Sequence, residues 1–231
     1  MLLSQIKSSL MTLRLGEQDV NSDDMKKNQA DYHHGDLRSA LVAAARKTVE
    51  GEGADGLSLR EVTRTLGVDI AATYRHFRKK EDVLAAVAAA GFDELGQLLA
   101  SRLAAAQKAR RSARACFIAC GTAYVDYGLA HPNLYRLMFG GRCSADAIQE
   151  ARGTAPSNSS YDLLREALDM LADEGAMRAT AREGAELVAW AQVHGLVTLI
   201  IDGRGGMDSR DQVASQLDRH LDVLLRGFRS T

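Results

Sequence analysis

The sequence predicts an all-α fold in which a three-helix head precedes a larger helical body. The 231 residues include only two prolines, Pro132 and Pro156, and alanine is abundant. No segment shows the alternation of apolar and polar residues that is typical of a strand. Residues 57–84 add a third observation, because they contain two short capped helices joined by a tight turn. We therefore expect helices throughout the chain and a helix-turn-helix in the head.

The helix-turn-helix is predicted from its caps. Ser58 and Glu61 are spaced as a capping box at the start of the first helix of the pair. Gly67 supplies the backbone freedom that a helix C-terminus needs. Asp69 is then the predicted N-cap of the second helix, which we expect over residues 70–77. The second helix of such a pair can enter the major groove of DNA.

The charge around this pair is locally basic. Between residues 58 and 80 the acidic side chains are Glu61 and Asp69, and six basic side chains outnumber them, giving a local net charge of +4 in a chain whose total is −1. The basic residues are Arg60, Arg64, Arg75, Arg78, Lys79 and Lys80. Phosphate neutralisation drives much of nucleic-acid binding, so this charge favours a DNA partner. The alternative is a solvated basic face on an ordinary helical hairpin.

The other helical segments follow from apolar residues at helical spacing. They cover residues 36–49, 79–106, 111–130, 132–139, 144–152, 161–174, 181–201 and 208–228. Pro132 cannot continue the helix before it, and Gly140 and Gly141 end the short one. Residues 153–160 are a loop by composition. We place the domain boundary inside the long helix, near residue 84, so that the domains span residues 31–84 and 85–231.

The first 30 residues are expected to be a flexible extension, because residues 16–30 are polar. Met25 could instead be the true start, which would place residues 1–24 outside the native protein. Lys7 and Arg14 interrupt any signal-peptide core, and no stretch approaches the length of a transmembrane helix. The three cysteines are no disulfide framework and suit a reducing cytosol. These features predict a cytoplasmic protein without a membrane partner.

The residues from Tyr74 to Leu84, YRHFRKKEDVL, resemble the end of the DNA-binding domain of the tetracycline-repressor (TetR) family of bacterial transcription regulators. That family's pattern there is roughly Y-x-H-F-x-x-K-E-x-L-L. The chain matches it at Tyr74, His76, Phe77, Lys80 and Glu81. The resemblance covers about residues 33–84 and departs at Asp69, where a neutral cap is common. An acid there faces phosphate, so it would either soften the affinity for DNA or need a partner such as Arg75. Trp190, His194 and Gly195 also resemble the Trp-His-Gly subgroup of the family's C-terminal domains.

The resemblance implies DNA contacts in the head. By it, Ile70, Ala71, Ala72 and Tyr74 face base edges or the adjoining backbone, and Arg60 is the candidate for a guanine contact, because its fork matches the two guanine acceptors. Tyr74, His76, Lys80 and the cap of Ser58 would hold phosphates. Thr73, Arg75 and Lys79 complete the predicted DNA-binding set.

The body carries a candidate ligand pocket. Glu186, Trp190, His194 and Thr198 lie four apart and form a polar and aromatic stripe on one helix. A buried polar stripe must be satisfied by partners or face a cavity, so it is either a pocket wall or a seam in the core or between subunits. Residues 116–127 give a facing aromatic lining. The predicted ligand-binding residues are Phe117, Cys120, Tyr124, Tyr127, Met138, Met170, Trp190 and His194.

The resemblance further implies a homodimer through the last two helices. The apolar stripe of the last helix suits that interface, and it comprises Val213, Leu217, Leu221, Leu224, Leu225 and Phe228. A symmetric dimer places two heads on successive major grooves, so the DNA partner would be a palindromic operator. The implied function is a repressor that a small-molecule effector releases from double-stranded DNA.

Other functions remain open from the sequence. Glu186 and His194 are too far apart along one helix for a direct proton relay, and no metal-ligand cluster or phosphate loop is present, so we expect neither an enzyme nor a cofactor or metal. Cys116 and Cys120 lie one turn apart, which leaves a thiol-redox regulator as an alternative to buried structural cysteines. A ligand-dependent activator and a DNA-organising protein are further alternatives.

Overall fold

The computed structural model describes residues 37–153 and 159–229, and in these ranges the chain forms eleven helices and no strand. The helices are α1 (Leu37–Glu52), α2 (Leu59–Leu66), α3 (Ile70–Tyr74), α4 (Lys80–Lys108), α5 (Ala113–Ala130), α6 (Pro132–Phe139), α7 (Ala145–Arg152), α8 (Ser160–Asp173), α9 (Ala179–Arg182), α10 (Ala185–Ile201) and α11 (Arg210–Phe228). The all-α prediction is confirmed. The predicted extension over residues 1–30 and most of the predicted loop lie outside the described residues.

The head consists of α1, α2, α3 and the first turn of α4. Its core is formed by Leu41, Val49, Val62 and Phe77, each almost fully buried. A left-handed Gly67 (φ 67°) ends α2, and the Gly67 and Val68 amides donate to the carbonyls of Arg64 and Thr63, a Schellman motif. This local motif fixes the angle between α2 and α3.

The third helix is shorter than predicted, since it ends at Tyr74 and not at Phe77. The backbone amides of His76 and Phe77 both donate a hydrogen bond to the Thr73 carbonyl. Phe77 thereby enters the head core, where Arg38 lies over its ring at 5.2 Å. Burial of this one ring therefore overrides continuation of the helix.

The long helix α4 runs from the head through the body, where it packs against α5, α6, α7 and α8. Its length and composition would allow it to cross a membrane, so the expectation that no stretch reaches that length was wrong. However, 61% of its most apolar 18-residue window is buried inside the fold. Helix packing thus accounts for the apolar character of α4.

Two predictions for the last helices need correction. The helix expected over residues 181–201 is broken into α9 and α10, because Gly184 adopts a left-handed φ of 73° that L side chains rarely adopt. The apolar stripe of α11 faces the interior of its own chain, packing on α5 and α10. Val213, Leu217, Leu221, Leu224, Leu225 and Phe228 are all buried there. They are unavailable to a partner subunit, and the stripe is core, not interface.

Candidate functional site

The solvent-facing side of α2 and α3 is a basic surface. Arg60 and Arg64 on α2, Arg75 after α3, and Arg78 and Lys79 before α4 are all exposed. Within the described residues none of these five side chains forms an ion pair. Five cationic side chains on one small domain are therefore free to neutralise phosphates.

The predicted contact residues of α3 divide between its two faces. Ala71 and Tyr74 are exposed, with 55% of Tyr74 accessible, and Ile70 and Ala72 are half-buried. Thr73 is completely buried, and its Oγ1 has no hydrogen-bond partner in the part of the chain that the structure describes. Because Thr73 faces the head core, its predicted contact with DNA is wrong. His76, beyond the helix, is exposed as a contact residue should be.

Two predicted phosphate ligands have partners inside the head. The Lys80 ammonium donates to the Asp55 carbonyl at 3.2 Å, and Arg142 of the body forms an ion pair with the Asp55 carboxylate. Lys80 therefore ties α4 to the turn after α1. The Ser58 hydroxyl accepts from the Glu61 amide at 3.5 Å, so Ser58 is the predicted N-cap. Among the described residues no hydrogen bond from the Ser58 amide to the Glu61 carboxylate completes the predicted capping box.

Asp69 is the one acidic side chain at the N-terminus of α3. Its carboxylate accepts from the Ala71 amide at 2.7 Å. No ion pair joins it to Arg75 in the described part of the chain, so the expected partner does not neutralise it. Asp69 is exposed to solvent and caps the N-terminus of α3, which favours its negative charge.

A cavity of about 310 Å³ lies in the body between α4, α5, α8, α10 and α11. Four predicted pocket residues line it, namely Phe117, Cys120 and Tyr124 from α5 and Trp190 from α10. The remaining wall comes mostly from residues that the sequence did not single out for it. These include Phe92 and Leu99 of α4, Phe139 of α6, Arg152 of α7, Ser159, Ser160, Leu163 and Leu164 at α8, and Val193 of α10.

One wall of the cavity carries a hydrogen-bonded cluster of aromatic side chains. The indole nitrogen of Trp190 donates to the Tyr124 hydroxyl at 3.0 Å. That hydroxyl lies 3.1 Å from the Tyr135 hydroxyl, which in turn lies 2.6 Å from Nδ1 of His194. Burial lowers the pKa of His194 and raises those of Tyr124 and Tyr135. Burial thus disfavours the charged forms of His194, Tyr124 and Tyr135, and the Tyr124 hydroxyl also lies 3.1 Å from Nδ1 of His194.

Four residues predicted for the pocket lie outside its lining. The Tyr127 hydroxyl donates to the Gly91 carbonyl at 3.0 Å, and Met138 packs against the same glycine of α4. Met170 accepts a hydrogen bond from Gln107. His194 lies behind the wall and forms a hydrogen bond with the Tyr135 hydroxyl. These side chains position the helices around the cavity and do not face its interior.

Glu186, the first member of the polar stripe on α10, has a partner of its own. Arg182 donates to its carboxylate at 2.8 Å, and although burial opposes its charge, this hydrogen bond lowers the pKa of Glu186. Glu186 and His194 thus belong to separate clusters. Over the described ranges, no three His, Cys, Asp or Glu side chains gather into a metal-binding group.

The two cysteines of α5 are buried thiols. Burial raises the pKa of Cys120 to about 12 and also raises that of Cys116. Thiols that remain protonated at neutral pH are poor nucleophiles, since the thiolate is the reactive form. This environment disfavours the thiol-redox alternative.

The head and the body meet where α1 contacts α6. His131, which precedes α6, donates from Nδ1 to the Glu50 carboxylate at 2.9 Å, and Asn133 donates to the Glu50 carbonyl at 3.1 Å. The hydrogen bond from His131 lowers the pKa of Glu50 to about 2. At its other end, α6 supplies Phe139 to the cavity wall. A single eight-residue helix therefore contacts both the head and the cavity.

Two family models match the chain. Residues 41–87 match the model of bacterial regulatory proteins of the tetR family, and residues 117–224 match the tetracyclin repressor-like C-terminal domain. Together these segments span more than half of the 231 residues. The comparison with curated proteins gives no match.

Solved structures share the fold. A protein of unknown function from Rhodococcus sp. RHA1 is 35% identical, with a TM-score of 0.71 over 87% of this chain and 100% of that one. A bacterial regulatory protein of the tetR family from Rhodococcus RHA1 is 18% identical, with a TM-score of 0.59 over 84% of this chain and 97% of that one. A TetR variant from Acinetobacter baumannii AYE in complex with minocycline is 22% identical, with a TM-score of 0.53 over 84% and 98%. With its helix-turn-helix head and matching body, the chain belongs to the TetR family of DNA-binding transcription regulators.

Proposed function

We propose that the chain is a repressor that binds a palindromic operator as a homodimer and that a small molecule in the body cavity releases it. The observation that carries this proposal is the position of α6. This helix supplies Phe139 to the cavity and holds Glu50 of the head through His131 and Asn133. A ligand that displaces the aromatic wall therefore moves α6, the helix that contacts α1.

In this proposal residues 31–84 bind DNA and residues 85–231 bind the effector and the second subunit. Arg60, Ile70, Ala71 and Ala72 read base edges, since they lie on the exposed or half-buried side of α2 and α3. Arg60 suits guanine, and the alanine methyl groups suit thymine methyl groups. The phosphate contacts come from Ser58, Tyr74, Arg75, His76 and Lys79. Lys80 adds positive charge near the DNA while its ammonium group donates a hydrogen bond to the Asp55 carbonyl.

The proposed link between ligand and operator is mechanical. The cavity residue Tyr124 bonds to Tyr135 of α6, and Met138 of the same helix packs against Gly91 of α4. A ligand that fits only when α6 shifts would strain the Glu50 contacts and change the position of the head. Ligand and operator must then weaken each other's binding by the same factor.

The proposed dimer surface lies on the outer faces of α10 and α11. Leu187, Val188 and Leu199 of α10 and Val223 of α11 are large apolar side chains exposed to solvent, with 62% of Leu187 accessible. Gly195, between them on α10, leaves open space that permits close approach. A second copy of the chain presenting the same two helices would cover this surface symmetrically, as isologous dimers do. The family's usual assembly as a dimer supports this proposal. Because the protein acts on DNA, we also propose that it is located in the cytoplasm.

The sign of regulation is tested in the source organism. Deleting the gene should raise transcription from the promoter that carries the operator, and restoring the wild-type gene should lower it again. Lower transcription after deletion would make the protein an activator and overturn the repressor proposal.

The mechanical link is tested with Glu50→Gln in the purified full chain. Because the amide keeps the size of the side chain but loses the charge-assisted bonds with His131 and Arg46, operator affinity should stay within about threefold, while ligand-induced release should weaken by about fivefold or more. Glu52→Gln, an exposed neighbour on α1, is the matched control. Unchanged release in Glu50→Gln would contradict a signal through this contact.

A further inference from the structure

We propose that the effector is an uncharged, largely aromatic molecule of about bicyclic size that carries one oxygen acceptor, such as a carbonyl group. This inference rests on the proposed function, because it names the class of ligand that the body cavity accepts. It is argued from the size of the cavity, from its aromatic wall and from the small polar patch at the start of α8.

The cavity is partly open to solvent, so its volume sets the size of the part of the ligand that it buries. Its volume of about 310 Å³ is roughly twice the ~150 Å³ of an apolar cavity that binds benzene. A two-ring molecule with a short substituent therefore fills it. A single ring would leave part of the wall without contacts. Because each such contact adds a small stabilisation, a ligand that contacts more of the wall binds more tightly.

The wall favours aromatic faces. Phe92, Phe117, Tyr124, Phe139 and Trp190 all contribute to it. The Phe139 and Trp190 rings already pack at 6.1 Å with an interplanar angle of 52°, so a flat ligand finds ring faces and ring edges together. Aromatic pairs in these geometries add stabilisation beyond the burial of apolar area.

The polar patch has a buried hydroxyl without a partner. Ser159 uses its hydroxyl to cap α8, where it accepts from the amides of Tyr161 and Asp162. The Ser160 side chain is also in the cavity wall, and its hydroxyl is buried and has no hydrogen-bond partner among the described residues. A rotation about the Cα–Cβ bond of Ser160 would turn this hydroxyl toward a ligand in the cavity. A buried polar group without a partner costs free energy, and a ligand oxygen that accepts from this hydroxyl would recover it.

The charged groups at the cavity disfavour a cationic ligand. Arg152 is the one charged side chain that lines it within the described residues, and no carboxylate faces it there. Nε and Nη2 of Arg152 both donate to the same Oδ1 of Asp93, at 2.8 and 2.7 Å. Since this pair is already close to neutral, it offers no strong site for an anion, while an ammonium group would be desolvated without a partner.

The test uses three molecules of one shape. 2-Ethylnaphthalene, 2-acetylnaphthalene and 1-(2-naphthyl)ethylammonium differ only in carrying two hydrogens, a carbonyl oxygen or an ammonium group on the same carbon. Their dissociation constants are measured by calorimetry on the full chain. Quenching of Trp190, the single tryptophan of the sequence, reports that each molecule occupies this cavity.

We expect both neutral molecules to bind and the ammonium to bind at least tenfold more weakly than the ketone. Ser160→Ala should weaken the ketone about three- to tenfold, as loss of one hydrogen bond predicts, and should leave 2-ethylnaphthalene within twofold. Ser101→Ala, an exposed serine on α4, is the matched control and should change neither.

Three results would overturn the ligand class. They are equal or tighter binding of the ammonium, no binding of either neutral molecule, and an equal effect of Ser160→Ala on ketone and hydrocarbon. The proposed function is judged by a separate readout, the release of operator DNA. If the molecules bind as expected without releasing DNA, the release mechanism fails and the ligand class stands. If the hydrocarbon releases DNA and the carbonyl gives no Ser160-dependent gain, the ligand class fails and the release mechanism stands.

Discussion

Replacing Tyr124 by phenylalanine tests the hydrogen-bonded wall of the cavity. The Tyr124 hydroxyl accepts from Trp190 at 3.0 Å. The same hydroxyl lies 3.1 Å from both the Tyr135 hydroxyl and Nδ1 of His194, and its single proton can form one hydrogen bond within this group. Tyr124→Phe thus removes two hydrogen bonds and leaves the indole N–H of Trp190 without a protein partner.

The size of the effect follows from these losses. Each hydrogen bond contributes about 0.5–1.5 kcal/mol net, and an unpaired buried donor costs about 1–3 kcal/mol. Trp190 is only half-buried beside the cavity, so water can partly replace its partner. We expect Tyr124→Phe to lower the free energy of unfolding by about 1–2 kcal/mol.

Urea unfolding of the full chain measures this difference, with the slope of the transition checked for constancy. Tyr74→Phe is the control, because the Tyr74 side chain is 55% exposed and should change stability by less than about 0.5 kcal/mol. Equal, small losses in both variants would refute the reasoning. The hydroxyl cluster would then contribute nothing measurable, and apolar packing alone would define the wall.

Three further predictions concern DNA, acid and assembly. Arg60→Ala should weaken operator binding by about 1–3 kcal/mol and relax sequence preference in a fluorescence-anisotropy titration, whereas Arg102→Ala, at an exposed position of α4 in the body, should change neither. Burial lowers the pKa of His194 below its unfolded value near 6.5, so the unfolded state binds the proton more readily than the folded state. The free energy of unfolding should therefore fall as the pH drops below about 6.5, and it should fall more in wild type than in His194→Asn. Val223→Asp should convert a dimer to monomers in analytical ultracentrifugation, while Gln97→Asp on exposed α4 surface should not.

Each of these has a contrary result. An equal loss on operator and random DNA would make Arg60 a phosphate contact. Parallel pH profiles of wild type and His194→Asn would show that another group controls acid stability. A dimer that persists in Val223→Asp would place the interface elsewhere on the surface.

The elements that the sequence predicted best are those fixed by local chemistry. Ser58, Gly67 and Asp69 act within one or two helical turns of their own positions, and all three caps are found as predicted. The end of α3 depends instead on burial of Phe77 against other helices, and no local signal marks it. The prediction missed the break before α10, although Gly184 is a local signal for it.

Residues whose role depends on packing were harder to predict. The apolar stripe of α11 was recognised, but a sequence does not distinguish a stripe that faces its own core from one that faces a partner. On α5 the pocket residues Phe117, Cys120 and Tyr124 were found because they share one helix. Arg152 and Ser160 were missed, since the folding of separate helices brings them to that cavity.

The most direct test of the proposed function is a genome-wide binding assay with purified protein and fragmented DNA of the source organism at near-physiological salt. A sequence-specific dimer should give a few strong peaks that share a palindrome with half-sites about one helical turn apart. Arg60→Ala should lose those peaks. Only diffuse, salt-sensitive binding, the same in wild type and variant, would contradict sequence-specific recognition by this head.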